Sequence, residues 1–198
     1  MNTLESKPLL NGRGSVVFRN GRPRPLRYSE VKPRQRINYA NAATGWTAAS
    51  GCTVGMADIA TPEGPTESLV RALATGASTN SFFDYTLPAT VAPGGKYIGF
   101  YVDFYLTRPT TSSTAGTLAA GTSITIFMYV GSLGAANNIA ISFDASYGWN
   151  RVFFGISDWT ITNGTAAYAT STFMGFRFRI QGTTGHTHSM WIREIGWI

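Results

Sequence analysis

From residue 37 onward, apolar side chains recur at every second position, the spacing of a strand with one face in a core and the other outside it. The clearest stretch is YIGFYVDFYLT at 97–107, where Ile98, Phe100, Val102, Phe104 and Leu106 point one way and Tyr97, Tyr101, Asp103 and Tyr105 the other. In TSITIFMYV, Ile124, Ile126, Met128 and Val130 share a face opposite Thr125, Phe127 and Tyr129. FMGFRFRI turns Met174, Phe176, Phe178 and Ile180 inward and Arg177 and Arg179 outward. The same alternation predicts strands at 67–73, 81–87, 138–143, 149–156, 167–172 and 189–197. Turn signals stand between them at Pro93-Gly94-Gly95, Gly134-Ala135-Ala136-Asn137, Tyr147-Gly148 and Asn163-Gly164. Of these, Gly94-Gly95 and Asn163-Gly164 read as hairpin turns. The stretch RPTTSSTAGTLAAGT, 108–122, has no period and reads as a long loop. No window carries a persuasive helical period. About nine or ten strands at regular spacing predict an all-β fold, an antiparallel two-sheet sandwich of jelly-roll type.

The tail, SMWIREIGWI, places apolar groups on both faces, with Trp191, Arg193, Ile195 and Trp197 alternating with Ile192, Glu194, Gly196 and Ile198. A strand buried on both sides, or one running into an interface, has this pattern.

Charge changes the picture at the other end of the 198-residue chain. Residues 1–36 hold nine basic groups against two acids, whereas the remaining 162 hold seven against eight, so the net +6 belongs to one segment. Pro8, Pro23, Pro25 and Pro33 disfavour helix there. The division expected is therefore an extended basic arm over 1–36 and a sandwich domain over 37–198. Asn11-Gly12-Arg13 and Asn20-Gly21-Arg22 bracket Ser15–Arg19 and predict one short strand between two turns. The arm interleaves its cations with apolar anchors, and Arg13, Val17, Phe18, Arg19, Arg22, Arg24, Arg27 and Tyr28 are the candidates for attachment to a partner. A purely electrostatic nucleic-acid tail needs no such anchors, which makes nucleic acid the weaker partner.

Catalytic chemistry finds little footing. His186 and His188, the only histidines, could join Glu194 in a metal site only by folding, and TTGHTHS reads first as a polar loop. No Gly-x-Ser-x-Gly elbow occurs. Nothing in the spacing pairs Asp84, Asp103, Asp144 or Asp158 for glycoside cleavage. Asn163-Gly164-Thr165 matches a glycosylation sequon but reads as a turn. The lone Cys52 reads as a small buried apolar residue. No cofactor motif is present, no apolar run reaches the 18 residues of a membrane span, and no secretory signal is read at the N-terminus. The expectation is a non-enzyme with no cofactor, no metal and no membrane.

The outward positions are more informative. Tyr97, Tyr101, Asp103, Tyr105, Phe127, Tyr129, Arg177 and Arg179 replace the Thr, Lys, Glu and Ser of an ordinary solvated sheet. Aromatic rings with Asp and Arg suit stacking on sugars, and equally a subunit interface. Cover by the arm or the long loop is the third reading.

The succession ATGWTAASGCTVG (43–55), YTLPATVAPGGKYIGFYVDFYL (85–106), WNRVFFGISDWTITNGT (149–165), FRFRI and WIREIGWI resembles the lectin-like jelly-roll modules of bacteriophage tailspikes and tail fibres. That resemblance implies a virion structural protein of fibre, spike or capsid-decoration type. Its arm would dock on other virion proteins, its sandwich would form a homo-oligomer, by preference a trimer, and host surface polysaccharide would be a possible ligand. Two alternatives stand beside it: a small-virus capsid protein whose arm binds nucleic acid, and a carbohydrate-binding module of an extracellular enzyme.

Overall fold

The computed structural model describes residues 16–19, 22–25, 35–75, 80–108, 110–111, 122–181 and 186–198. In chain order its strands are β1 (Val16–Arg19), β2 (Arg22–Pro25), β3 (Gln35–Tyr39), β4 (Trp46–Ser50), β5 (Cys52–Ala60), β6 (Thr66–Ala74), β7 (Asn80–Val91), β8 (Gly99–Leu106), β9 (Thr110–Thr111), β10 (Thr122–Tyr129), β11 (Asn138–Ala145), β12 (Gly148–Gly155), β13 (Ile161–Asn163), β14 (Phe173–Gln181) and β15 (His186–Trp197). A short 3-10 turn, Ile156–Asp158, follows β12.

Two antiparallel sheets form the expected sandwich. One has six strands in the order β13-β11-β10-β14-β7-β4. The other has seven: β12-β8-β15-β6-β5, with β3 and β9 also paired to β15. Alternation does what it predicts on the inner faces. Phe100, Val102, Phe104 and Leu106 from β8 meet Ile124, Ile126 and Met128 from β10 and Phe176, Phe178 and Ile180 from β14 in one core. Each fully buried side chain of this kind stabilises the fold by about 1.5–3 kcal/mol. Trp197 closes one end of that core, with Tyr97 stacked at 5.5 Å and Phe100 edge-on at 5.5 Å.

Departures from the period have local causes. Register slips between Ile192 and Glu194, so Arg193 is an extra residue in β15. Before this bulge Met190 and Ile192 face the core, and after it Ile195 and Trp197 do. The tail's two apolar faces are thus largely one face with a change of phase. A second irregularity, between Phe173 and Gly175, turns Phe173 into the core and leaves the expected Met174 only partly buried. Ile98, expected inward, precedes β8 and is 57% exposed. Segment 167–172 is turn rather than strand, and sends Tyr168 into the core.

Gly94-Gly95 makes no hairpin, because β7 and β8 belong to different sheets and the link crosses between them. Gly94 is needed there for a close approach: a Cβ would lie 2.0 Å from the carbonyl oxygen of Ala169. Tyr147-Gly148 likewise turns the chain from one sheet to the other, whereas the turn at 134–137 does join the antiparallel neighbours β10 and β11. Asn163-Gly164 is a turn but not a hairpin; Thr165 N–H donates to Asn137 Oδ1 at 3.1 Å, and Asn163 Nδ2 donates to Asn138 Oδ1 at 2.9 Å.

In the arm, β1 pairs with β2, Arg19 opposite Arg22, so the single strand expected at 15–19 has a partner. Arg13, Arg27, Tyr28 and both Asn-Gly turns lie outside the described residues, as does most of the 108–122 loop. Among the described residues, β3 pairs with the end of β15 and so joins the seven-stranded sheet.

Candidate functional site

The eight outward candidates do not share a face. Tyr101, Asp103 and Tyr105 lie on the outer side of the seven-stranded sheet, while Phe127, Tyr129, Arg177 and Arg179 lie on the outer side of the six-stranded one. Tyr97 belongs to neither; it precedes β8, stacks on Trp197 and donates its hydroxyl to Gln35 Oε1.

On the seven-stranded sheet, Tyr101 and Asp103 point outward as expected but are 1% and 0% exposed. The cause is a polar seam that β3 and the bulge of β15 lay over them. Arg151 on β12 donates to Asp103 Oδ2 at 2.5 Å. Arg193, the bulged residue, reaches Glu63 at 2.9 Å, Glu67 at 3.2 Å and Asp103 at 3.9 Å. Tyr101 and Tyr39 donate their hydroxyls to Glu194 and Glu67, and Arg36 pairs with Glu194 at 3.1 Å. Burial, then the hydrogen bond to Glu194, pushes the Tyr101 hydroxyl well above its ordinary pKa, and the same carboxylate raises that of Arg36. Charges that read as ligand contacts in the sequence are consumed here in holding strands together.

Farther along the same sheet, beside Asp103, a groove of about 600 Å³ opens between Tyr105, Trp149 and Trp191 on one side and residues 58–61 on the other, with Thr107 at its end. Trp149 and Trp191 both stand edge-on to Tyr105, at 5.5 and 5.9 Å. Their indole N–H groups donate to the carbonyls of Ala60 (3.1 Å) and Ala57 (3.3 Å) on β5, which fixes both rings while leaving them partly exposed. Arg71 packs over the Trp191 ring at 5.6 Å.

The six-stranded sheet presents a ladder of arginines and rings. Arg177 makes a two-pronged pair with Asp84 on β7, at 2.7 and 2.8 Å, and lies over both Phe82 and Tyr129. The pair raises the Arg177 pKa, and burial raises that of Tyr129. Arg179 donates to Thr125 Oγ1 at 2.6 Å and lies 6.0 Å from the Phe127 ring centroid.

The other chemical candidates disperse. His186 and His188 lie on β15 rather than in a loop, and His188 is buried because the strand carries it inward with Met190 and Ile192. Among the described residues no group of three His, Cys, Asp or Glu side chains could hold a metal ion. Asp84 and Asp103 are tied to arginines on opposite faces, and Asp158 accepts the Gly155 N–H at 2.6 Å. Cys52 is partly buried, its thiol donates to the Phe82 carbonyl at 3.0 Å, and burial pushes its pKa up to about 11. The sequence reading missed Trp149, Phe82 and Asp84 as neighbours of the candidates. The available signal was their odd or even position within strands already recognised, but which strands adjoin is not a local property.

No family model matches the chain, and no curated protein sequence matches it. Solved structures do. An exo-β-agarase superposes with a TM-score of 0.57 at 6% identity over 83% of this chain and 26% of its own, so the chain spans about a quarter of that enzyme. The family 11 carbohydrate-binding module of the Clostridium thermocellum cellulase Lic26A-Cel5E superposes with a TM-score of 0.53 at 12% identity, over 84% of this chain and 95% of the module. The enzymatically active domain of tailspike protein 4 from bacteriophage CBA120 overlays more loosely, with a TM-score of 0.45 at 11% identity over 80% of this chain and 20% of that one. At these identities the first two comparisons show a shared jelly-roll sandwich, and the third is too loose to bear on function.

Proposed function

We propose that this chain is a non-catalytic carbohydrate-binding sandwich that seats a glycan in the groove over Tyr105, Trp149 and Trp191. The observation that carries the reading is the groove itself: a concave site with three rings, two of them pinned by their indole N–H groups, and an exposed carboxylate, Asp58, at its rim. Rings held in place lose little entropy when a sugar stacks on them, and a carboxylate accepts hydrogen bonds from hydroxyls. The likeness to a carbohydrate-binding module supports this reading over a virion role, and the agarase and cellulase-associated neighbours suggest the first probes. Calorimetric titration with agaro- and cello-oligosaccharides tests it. Trp149→Ala and Trp191→Ala should each weaken binding by about 1–3 kcal/mol, the scale of losing an aromatic anchor. Wild-type affinity in both variants, or no binding of either oligosaccharide by the native protein, would overturn the site.

The backbone pairing of β1 with β2 favours a companion proposal, that segment 1–36 docks the sandwich on other virion proteins as part of a homotrimer. Light scattering at low and high salt should then give a trimer at both. A monomer at both would reject the trimer, and unimpaired attachment of a chain lacking residues 7–36 would reject the arm's role.

A further inference from the structure

We propose that the outer face of the six-stranded sheet is a second binding site, opposite the groove, and that Arg179 there takes the anionic substituent of an acidic glycan, a carboxylate or a sulfate ester. Arg177 and Arg179 stand two residues apart on the same side of β14, yet their charges are treated differently. Asp84 neutralises Arg177 with both of its oxygens. Arg179 forms no ion pair with any described carboxylate; its one hydrogen bond goes to the neutral hydroxyl of Thr125, and its Nε is buried with no acceptor among the described residues. A guanidinium anchored on Thr125, partly exposed and paired with no described carboxylate, can meet an oxyanion through its terminal nitrogens, and charge-assisted contacts are among the strongest that arginine makes.

The surroundings argue for a sugar as the carrier of that oxyanion. Phe127 lies beneath the Arg179 guanidinium, Phe127 and Tyr129 stack at 5.9 Å, and Phe82 sits opposite Arg179 on the neighbouring strand. The partly exposed Phe82 and Phe127 thus flank the cation on both sides, and the ring surface their guanidinium partners leave uncovered is apolar, suited to a sugar beside its acidic group. A nucleic-acid strand asks for something else, a row of cations along its phosphates. Among the described residues the face supplies one cation outside an ion pair, Asp84 is taken up by Arg177, and the exposed Asp144, two residues from Ser142 on the outer side of β11, would repel a run of phosphates.

The test uses the full chain and four probes: tetragalacturonate, a sulfated galacto-tetrasaccharide, neutral cellotetraose and the oligonucleotide dT4. We expect the native protein to bind at least one of the acidic tetrasaccharides, and the comparison between them assigns the site to carboxylate or to sulfate. Arg179→Gln should weaken that binding by about tenfold or more while leaving any cellotetraose affinity unchanged, and Arg179→Lys should fall between the two because it keeps the charge and loses the fork. Trp149→Ala and Trp191→Ala should leave acidic binding in place, which separates failure of this site from failure of the groove. Arg22→Gln with Arg24→Gln controls for attraction by the arm. The proposal is overturned if neither acidic probe binds, if Arg179→Gln binds as tightly as the native chain, if the arm variant rather than Arg179→Gln loses affinity, or if dT4 binds with equal affinity and the same dependence on Arg179. Thermal unfolding of Arg179→Gln and Arg179→Lys shows whether a loss is one of binding or of fold.

Discussion

The outer faces of the two sheets are built from the same residue types, arginine, aspartate, tyrosine and phenylalanine, and they dispose of them in opposite ways. On the seven-stranded sheet, Asp103 lies between Arg151 and Arg193 and Glu194 between Arg36 and the Tyr101 hydroxyl, so that Tyr101, Asp103 and Glu194 are buried while Arg36 and Glu63 stay exposed at the rim. On the six-stranded sheet one pair, Arg177 with Asp84, closes on itself and Arg179 is left over at a partly exposed position. Composition is therefore a poor guide to availability. A surface is open or closed according to what the neighbouring strands bring to it, and here a one-residue bulge and the extra strand β3 close the Tyr101–Asp103 end of one face while its Tyr105–Trp149–Trp191 end stays a groove.

That contrast can be broken most directly at its two aspartates. Asp103→Asn should cost about 3–5 kcal/mol in denaturant unfolding, because it removes the carboxylate bonded to Arg151 at a fully buried position, whereas Arg193 keeps Glu63 and Glu67. Asp84→Asn should cost less, about 1–2 kcal/mol, since Arg177 is partly exposed and solvent takes over some of the lost interaction. Equal losses would erase the distinction between a closed seam and an open ladder.

High pH sharpens the comparison further. Tyr101 ionises at its ordinary value near 10.0 when unfolded but holds its proton above that when folded. The unfolded chain then carries fewer protons than the native one, so this contribution is intact below pH 10 and declines as pH rises toward the folded value. Stability should fall above about pH 10, and Tyr101→Phe should flatten that slope more than Tyr129→Phe does, although burial raises both hydroxyls. A steeper slope in Tyr101→Phe would contradict the assignment.

A purely local effect is expected where Cys52 on β5 meets Phe82 on β7. With its pKa moved from 9.0 to about 11, Cys52 should be alkylated at pH 8 roughly a hundredfold more slowly in the native protein than in the unfolded chain, a ratio readable by mass spectrometry. Matching rates would mean that the thiol is not held against the Phe82 carbonyl.

Much of the architecture was legible residue by residue. The period-two runs that became β6, β7, β8, β10, β11, β12, β14 and β15 carry their own evidence, because side-chain direction in a strand is decided within the strand. β4 and β5 were not read, since small residues such as Ala48, Ala49, Gly55 and Ala57 contribute almost no hydrophobic contrast. The tail and the Phe173 end of β14 misled for a different reason: a bulge shifts the phase, and it is recognised only against a partner strand.

The candidate site divides along the same line. Alternation alone established that Tyr101, Asp103, Tyr105, Phe127, Tyr129, Arg177 and Arg179 turn away from the core, and charge counting alone established that the positive surplus sits in residues 1–36. Only the tertiary structure decided that they occupy two opposite faces, that Trp149 and Trp191 flank Tyr105, and that Asp84 takes Arg177 but not Arg179. The physical reason is one of range. Strand direction and charge density are properties of neighbours along the chain, whereas countercharge, cover and concavity are supplied across it by residues as far apart as Asp84 and Arg177.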